Sequence, residues 1–264
     1  VTSPWISSPT LYFFRSSLRP ADAFIVAHPK SGNTWLAYAL AIMFKNDFDG
    51  KVHIPDVRDL IPPIHANDAR IAYCPALSHP RVFRNEWPLY PDEYPKTIYI
   101  VRDPRSAIVS YYHHYQVLYS ERKTTLGEFV KTYLTRGNIP DFEPDLQEWH
   151  AQVGEWRERA KTQSVLFATY EDMRKDLPGV MRRVCTYIGF GASDDLIALA
   201  ARRTEFGAMQ TEETKHGAEA FTKDKTEQGK HFIRDDEWQN YMDRETATLI
   251  ESKYGELMKK FGYL

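Results

Sequence analysis

The feature that most constrains the fold of this chain is a short apolar run at residues 24–28 that passes through a tight turn into a helix-like pattern. The run has the length and composition of a buried strand. Residues 29–33 are Pro, Lys, Ser, Gly and Asn, which are typical of a turn. Apolar residues then recur at helical spacing, at Trp35, Leu36, Ala39, Leu40, Met43 and Phe44. The pattern predicts a strand, a tight loop and a helix.

A second pattern of the same kind begins at residue 97. Residues 97–101 predict a buried strand that runs directly into an Arg-Asp-Pro-Arg sequence. Asp103 is suited to cap a helix and Pro104 to occupy its first turn, so we expect a helix from about Pro104 to Tyr119. In the Pro-rich region before this unit, residues 71–77 predict another short strand.

The rest of the chain continues the alternation of strands and helices. Residues 165–170 predict a third strand, and a helix near 177–188 ends at Gly189, which is suited to a left-handed C-cap. Further helices are predicted at 126–136, 146–161, 193–203 and 243–260. The alternation predicts an α/β fold, a single domain over residues 1–264, with a central parallel sheet flanked by helices on both faces.

The composition of the chain limits which kinds of ligand and partner we expect it to bind. The net charge is −2, whereas nucleic-acid binders are usually basic, so we expect no nucleic acid and a local cationic site for any anionic ligand. No apolar run approaches the ~20 residues that span a bilayer, so we expect no membrane partner. Cys74 and Cys185 stand outside any CxxC pair and predict buried free thiols. No metal-ligand spacing stands out, and without a visible signal peptide the expected setting is cytoplasmic.

The first turn, residues 29–34, has the chemistry of a phosphate-binding loop. Unpaired N–H groups at a helix start favour an anion, and Gly32 permits close approach of the backbone. Ser31 and Thr34 add hydroxyl groups, and Lys30 adds a positive charge. The loop resembles a P-loop in its strand–loop–helix form but is not a Walker A motif, because the lysine precedes the glycine. The alternative is an ordinary turn with a surface lysine.

A second anion site is predicted at Arg102. This arginine follows a predicted strand, and open α/β sheets bind ligands at the carboxyl ends of their strands. A planar guanidinium suits bidentate contact with a phosphate, and Ser110 lies about two helical turns further on. The alternative is an ion pair between Arg102 and Asp103 or another carboxylate.

Taken together, these motifs resemble the sulfotransferases that use 3'-phosphoadenosine 5'-phosphosulfate (PAPS). Residues 30–35 resemble the family's 5'-phosphosulfate loop, and residues 102–112 resemble its 3'-phosphate motif. The Tyr-Glu-Asp-Met segment at 170–173 and the endings at 253–255 and 261–263 are also similar to those of the family. The resemblance implies PAPS as sulfuryl donor and 3'-phosphoadenosine 5'-phosphate (PAP) as product.

The resemblance also implies roles for individual residues. Lys30 matches the catalytic lysine that contacts the oxygen bridging sulfuryl and phosphate, where charge develops as that bond breaks. Arg102 and Ser110 match the 3'-phosphate ligands. The remaining matches are Ser31, Gly32, Asn33 and Thr34 as loop donors and Trp35, Tyr170, Thr204 and Phe206, with Met209, around the adenine.

The general base implied by the resemblance is a histidine before the phosphate-binding arginine. His79 stands in that position, and an imidazole can accept the acceptor's proton near neutral pH. The alternatives are His28, His65, His113 and His114. The chain departs from many animal members of the family at Leu77, where they carry a lysine.

A polar stretch at residues 211–236 predicts a long loop that orders when the donor binds. Within it, Gly229 and Lys230 resemble a remnant of the family's 3'-phosphate clasp, although Glu227 stands where an arginine is expected. The alternative basic residues are Lys223, Lys225 and Arg234.

The sequence therefore predicts transfer of a sulfuryl group from PAPS to a hydroxyl or N-hydroxyl of a small-molecule acceptor. Natural-product tailoring is the expected setting, with an acceptor pocket formed around residues 52–95. The alternatives are sulfation of a glycolipid or sugar and a non-catalytic nucleotide-binding protein. A phosphotransferase is disfavoured because a Walker lysine and magnesium ligands are not apparent. The oligomeric state, monomer or homodimer, is left open.

Overall fold

Four parallel strands form the centre of the protein. The computed structural model describes residues 16–64, 80–86, 90–119, 121, 123–139, 146–217, 231–235 and 237–264. The strands are β1 (Ala23–Ala27), β2 (Val82–Asn85), β3 (Lys96–Val101) and β4 (Val165–Thr169). They pair side by side in the order β2-β1-β3-β4, and every pairing is parallel. The predicted α/β fold with a parallel sheet is confirmed.

Helices cover both faces of this sheet. In chain order they are α1 (Asn33–Phe44), α2 (Val57–Leu60), α3 (Pro104–Leu118), α4 (Leu126–Arg136), α5 (Trp149–Arg159), α6 (Tyr170–Ile188), α7 (Asp194–Arg203), α8 (Phe206–His216) and α9 (Arg244–Lys260). Because successive strand residues point to opposite faces, Ile25 packs among α1, α2, α6 and α7, whereas Phe24 and Val26 pack among α3, α4, α5 and α9. Within the described chain, no helix has the length and apolar character needed to cross a membrane.

Local capping signals set the ends of the helices. Asp103 caps α3 by accepting the Arg105 backbone N–H at 2.9 Å, and Thr125 with Glu128 forms the predicted capping box of α4. Gly189 ends α6 with a φ of 75°. The helix predicted near 177–188 begins earlier, at Tyr170, and is interrupted at Asp176, whose φ of −151° is not helical.

Sequence reasoning missed the second strand. The predicted strand at 71–77 lies outside the described residues, and β2 was not predicted. It has four residues and contains Arg84 and Asn85, which are unusual in a buried strand. Both are accommodated by buried hydrogen bonds, from Arg84 Nε to the Ile61 carbonyl at 3.1 Å and from Asn85 Nδ2 to the Tyr94 hydroxyl at 2.7 Å.

The long loop predicted at 211–236 is also corrected in part. Helix α8 continues to His216, because Met209 and Glu213 lie one turn apart and are both buried against the body of the protein. Residues 218–230 and 236 lie outside the described part of the chain.

Candidate active site

The carboxyl ends of the four strands meet at one edge of the sheet and line one cleft. Lys30 follows β1, Glu86 follows β2, Arg102 follows β3 and Tyr170 follows β4. This edge is where open parallel sheets bind ligands. The cleft and the open solvent at its mouth together have a volume of about 970 Å³. Of the residues predicted from sequence, it brings together Lys30, Gly32, Asn33, Thr34, Trp35, Arg102, Ser110, Tyr170, Thr204, Phe206 and Met209.

The loop between β1 and α1 is shaped by two residues in the left-handed region. Lys30 has a φ of 67° and Gly32 a φ of 106°. Gly32 occupies the N-cap of α1 and offers no capping side chain, so the first N–H groups of the helix remain for a ligand. A Cβ at Gly32 would stand 3.0 Å from Cδ2 of Tyr170, so the ring and the loop pack without room for another side chain.

Arg102 is buried in the wall of the cleft and is not paired with Asp103. Its Nη1 donates to the Lys30 carbonyl at 2.9 Å, and its guanidinium lies 4.1 Å from the centre of the Tyr170 ring. Asp103 is instead bound by Arg105, whose Nη2 lies 2.6 Å from its Oδ2 and whose Nη1 contacts Glu251. The sequence-based alternative of an ion pair with the adjacent carboxylate is therefore wrong.

Several buried polar atoms at this edge have no hydrogen-bond partner among the described residues. They are the Ser31 hydroxyl, Oδ1 of Asn33, Nε1 of Trp35 and Nε of Arg102. A buried polar group without a partner costs about 1–3 kcal/mol, and Asn33, Trp35 and Arg102, which carry three of these atoms, line the cleft. Ser31 itself is 1% exposed and lies behind the cleft lining.

The adenine-side residues predicted from sequence are near each other. Trp35 meets the Tyr170 ring edge-on at 5.5 Å and also packs against the core, so it contributes to both cleft and core. Thr204 is fully buried and lies at the C-cap of α7. Its hydroxyl donates to the Ala200 carbonyl at 2.8 Å. Phe206 is 46% exposed at the first residue of α8. Ser110 is buried on α3 and lines the cleft.

The segment 231–235 lies against the cleft and covers the lysine. Nζ of Lys30 stands 3.2 Å from the centre of the Phe232 ring. The segment is held by Glu213, a fully buried carboxylate that accepts the Phe232 N–H at 2.5 Å and the Ile233 N–H at 3.0 Å. Arg234, one of the alternative basic residues, lines the cleft. The other members of the predicted clasp, Gly229, Lys230, Lys223 and Lys225, lie outside the described residues.

The predicted base, His79, and its alternative His65 also lie outside the described residues. His28 is buried, which lowers its pKa to about 4, and its ring nitrogens contact the Pro29 carbonyl and the Tyr133 hydroxyl. Burial and the nearby cations Lys30 and Arg234 lower the pKa of His114 to about 2, so it is a weak base.

The structure reveals a cleft residue that sequence reasoning missed. Glu86 is the first residue after β2, and its Oε1 lies 3.4 Å from Nδ2 of Asn33. It was missed because β2 was not predicted, so nothing placed it at the carboxyl edge. The usable signal was a charged residue directly after a short stretch with buried positions, ten residues before the next strand.

A histidine–glutamate cluster lies apart from the residues that line the cleft. His53, Glu212 and His216 have ligand-type atoms within 4.8 Å of one another, which sequence spacing did not predict. His53 Nδ1 lies 2.6 Å from Oε1 of Glu212, and the two histidine rings stack at 3.8 Å. Hydrogen bonding and stacking account for the arrangement.

The fold and the cleft define an α/β protein with a cationic loop and a buried arginine at the carboxyl edge of its sheet, which are groups suited to an anionic ligand. Comparison with known proteins agrees with this class. The description of the matching family model is "Sulfotransferase domain", and the match covers residues 20–262. The chain belongs to the sulfotransferase family, whose members use PAPS as donor.

Relatives and solved structures place the chain within this family at low identity. It is 24% identical to the rabbit (Oryctolagus cuniculus) amine sulfotransferase over 200 residues, covering 73% of this chain and 64% of that relative, less than two thirds of its length. The mouse sulfotransferase SULT7A1 complexed with PAP is similar at a TM-score of 0.69 and 23% identity, with 97% of this chain and 90% of that chain covered.

Retinol dehydratase in complex with androsterone and PAP is also similar, at a TM-score of 0.69 and 22% identity. The alignment covers 95% of this chain and 85% of that one. At these identities the structural likeness establishes a shared fold.

Proposed function

We propose that this protein transfers a sulfuryl group from PAPS to a hydroxyl or N-hydroxyl of a small-molecule acceptor and releases PAP. The observation that carries the proposal is the hydrogen bond, 2.9 Å long, from buried Arg102 to the backbone of Lys30. It joins the guanidinium of Arg102, directly after β3, to the backbone of the loop after the neighbouring strand β1, so the Arg102 and Lys30 side chains line one cleft. A donor with a phosphate at each end of an adenosine needs two such groups. The family and the PAP bound in the structural neighbours support this choice of donor.

The order of the strands in the sheet determines where we propose that each part of the donor binds. The loop from Lys30 to Thr34 and the start of α1 hold the phosphosulfate, and Arg102 with Ser110 holds the 3'-phosphate. The adenine lies toward Trp35, Tyr170, Thr204 and Phe206. Gly229 and Lys230 are proposed as further 3'-phosphate ligands on the resemblance alone.

In the proposed reaction, an acceptor oxygen bonds to sulfur as the bond between sulfur and the bridging phosphate oxygen breaks. The electron pair of that bond stays on the departing phosphate. Lys30 and the N–H groups at the start of α1 stabilise the charge that develops there. Holding donor and acceptor in line lowers the barrier further, because the entropic cost of bringing them together is met on binding. The acceptor's proton passes to a base.

The proposed acceptor is a hydroxyl compound of modest size. Androsterone is bound in one structural neighbour, and the cleft has a mouth open to solvent where such a compound can approach the donor. We propose a role in natural-product tailoring in the cytoplasm, which rests on the sequence resemblance.

The proposal is tested by calorimetry with PAP and by turnover of PAPS. The wild-type protein should bind PAP, and Arg102→Gln should weaken binding by at least about tenfold, since a charge-assisted contact contributes about 1.5–3 kcal/mol. The matched control is Arg182→Gln, which removes an exposed arginine paired with Asp194 on the outer surface. Equal affinity of the Arg102 variant, or a folded wild type without PAP binding, contradicts the proposal.

Turnover separates an enzyme from a nucleotide-binding protein. With PAPS and a panel of phenols and sterols, the wild type should release PAP only when acceptor is present. Lys30→Met should lower kcat by about 10²–10³-fold, because removal of one preorganised donor to a developing charge has that effect. The exposed Lys45 on the C-cap of α1 supplies the control variant Lys45→Met. Acceptor-independent release would favour a binding protein with adventitious hydrolysis.

A further inference from the structure

One ionisable group that lines the cleft has no role in the proposed donor site. The carboxylate of Glu86 lines the same cleft as Lys30 and Arg102, and its Oε1 lies 3.4 Å from Nδ2 of Asn33 in the first turn of α1. A carboxylate is repelled by the phosphates and the sulfuryl group of a donor such as PAPS. Its presence beside their loop therefore points to the other substrate.

The sheet order determines which side of the donor Glu86 faces. The loop at Lys30 follows β1, the arginine follows β3, and the proposed adenine contact Tyr170 follows β4. Glu86 follows β2, on the opposite side of β1 from Arg102. Neighbouring strands are about 4.8 Å apart, so Glu86 lies about one strand spacing beyond the loop that holds the sulfuryl end. An acceptor that attacks in line must approach the sulfur from the side away from the nucleotide, which is the side of Glu86.

The position of Glu86 is fixed by buried groups behind it. Nε2 of Gln152, which is fully buried, donates to the Glu86 carbonyl at 2.9 Å. Oε1 of the same glutamine accepts the Tyr99 hydroxyl at 3.0 Å. The preceding residue, Asn85, is held by the Tyr94 hydroxyl. These contacts hold the end of β2 as a rigid support for a reactive side chain.

The other candidates for a base in the described part of the cleft are less suitable. Asp235 lies 3.3 Å from the guanidinium of Arg174 and is half exposed. His114 faces the cations Lys30 and Arg234, and with burial they lower its pKa to about 2. Glu86 is half-buried and lies on the acceptor side.

We propose that Glu86 is the general base of the reaction, and that it takes the proton of the acceptor hydroxyl as the hydroxyl oxygen bonds to sulfur. The inference rests on the proposed sulfuryl transfer. The O–H electron pair becomes the new S–O bond, the proton ends on the Glu86 carboxylate, and the bridging phosphate oxygen leaves with the electrons of the old S–O bond. His79, the base implied by the sequence resemblance, is the competing candidate.

The test compares Glu86→Gln with His79→Gln and with Glu256→Gln, an exposed control on α9. The glutamine at position 86 keeps an oxygen that accepts from Asn33 but cannot take a proton. With PAPS and 2-naphthol, Glu86→Gln should lower kcat by about 10²–10⁴-fold without weakening the binding of PAP. Glu86→Asp should recover part of the rate, and the acidic limb of the pH–rate profile should disappear in the glutamine variant.

A series of substituted phenols distinguishes a base from a binding group. A more acidic phenol needs less help in losing its proton, so the defect of Glu86→Gln should shrink from 2-naphthol to 4-nitrophenol. Glu86→Gln with a wild-type kcat, a defect equal for all phenols, or loss of the acidic limb only in His79→Gln overturns the assignment. A wild type that binds PAP but transfers to no acceptor overturns the proposed function, and with it this inference. The measurements of PAP binding and of turnover therefore distinguish failure of the proposed function from failure of the assignment of Glu86 as the base.

Discussion

At the scale of single residues, the donor loop depends on backbone conformations that few residues tolerate. Lys30 and Gly32 both have positive φ, and the lysine accepts this conformation while its carbonyl binds Arg102. A charged side chain in the left-handed region is uncommon and carries strain that is often found at functional sites. The strain is consistent with the anion-binding role that we propose for the loop.

Gly32→Ala should destabilise the fold by about 1–2 kcal/mol, because an L side chain is disfavoured at a φ of 106°. The new Cβ would also stand 3.0 Å from the Tyr170 ring and shift it. PAP affinity should fall as well, measured by calorimetry beside urea unfolding. The control is Gly191→Ala, whose Cβ meets nothing within 4 Å. Equal stability of the two variants would contradict this account of the loop.

His28 makes stability depend on pH. Its folded-state pKa of about 4 is lower than the ordinary 6.5 because burial disfavours the charged ring. The stability associated with the neutral ring is fully present above pH 6.5 and is lost as the pH falls toward 4. Urea unfolding from pH 7 to pH 4 should show this loss, and NMR of the ring should give a midpoint near pH 4. A ring that titrates near 6.5 would show that it is not buried as described.

At the scale of elements, helix α8 packs against the body of the protein and also anchors the segment 231–235. Its buried Glu213 accepts two backbone N–H groups from the segment 231–235 and thereby holds Phe232 against Lys30. The carboxylate is fully buried, so these hydrogen bonds are the main compensation for its desolvation. One helix thus contributes Phe206 and Met209 to the cleft and also anchors the segment that covers it.

Glu213→Gln should release this segment. One of the two accepting oxygens becomes an NH2 group that faces a backbone N–H, which costs about 1–3 kcal/mol for the unsatisfied groups. Amide hydrogen exchange in 231–235 should accelerate and PAP affinity should fall, while global unfolding changes less than local exchange. Glu245→Gln, at an exposed position in the first turn of α9, supplies the comparison. Unchanged exchange in 231–235 would contradict the anchoring role.

At the scale of the whole molecule, the parallel sheet gathers residues that are far apart in sequence. The groups after the four strands span residues 30 to 170, and parallel pairing brings all of their loops to one edge. A ligand held across several of these loops links β1, β3 and β4. Such a ligand binds the folded protein and not the unfolded chain, so it stabilises the fold by mass action.

PAP should therefore raise the Tm of the wild type, by an amount that grows with the logarithm of its concentration above the Kd. At 100 times the Kd, the stabilisation is about 2.7 kcal/mol. If Arg102→Gln weakens binding tenfold, about half of the shift should remain at the same PAP concentration, and Arg182→Gln should preserve all of it. Adenosine, which lacks both phosphates, is the ligand control. A similar shift with adenosine and with PAP would show that the anion sites do not contribute.

The sequence signals that correctly predicted strands and helix ends were strong local patterns. The apolar runs at β1, β3 and β4 and the caps at Asp103, Thr125 and Gly189 were visible because each is encoded within a few neighbouring residues. The proposed anion loop and Arg102 were predicted for the same reason, since each lies directly after such a run. The residues of the proposed donor half of the site could thus be named from local pattern.

Only the tertiary structure placed Glu86, on which the proposed acceptor half of the site rests. Strand β2 is short and polar, and it becomes a strand because Ile61, Tyr94 and β1 supply its partners. Those partners come from other parts of the chain, so no local pattern predicts that these residues form a strand. Only the order β2-β1-β3-β4 then places Glu86 across the donor loop from Arg102. The sequence determines the chemistry of each side chain, but the long-range pairing of strands determines which side chains face one another.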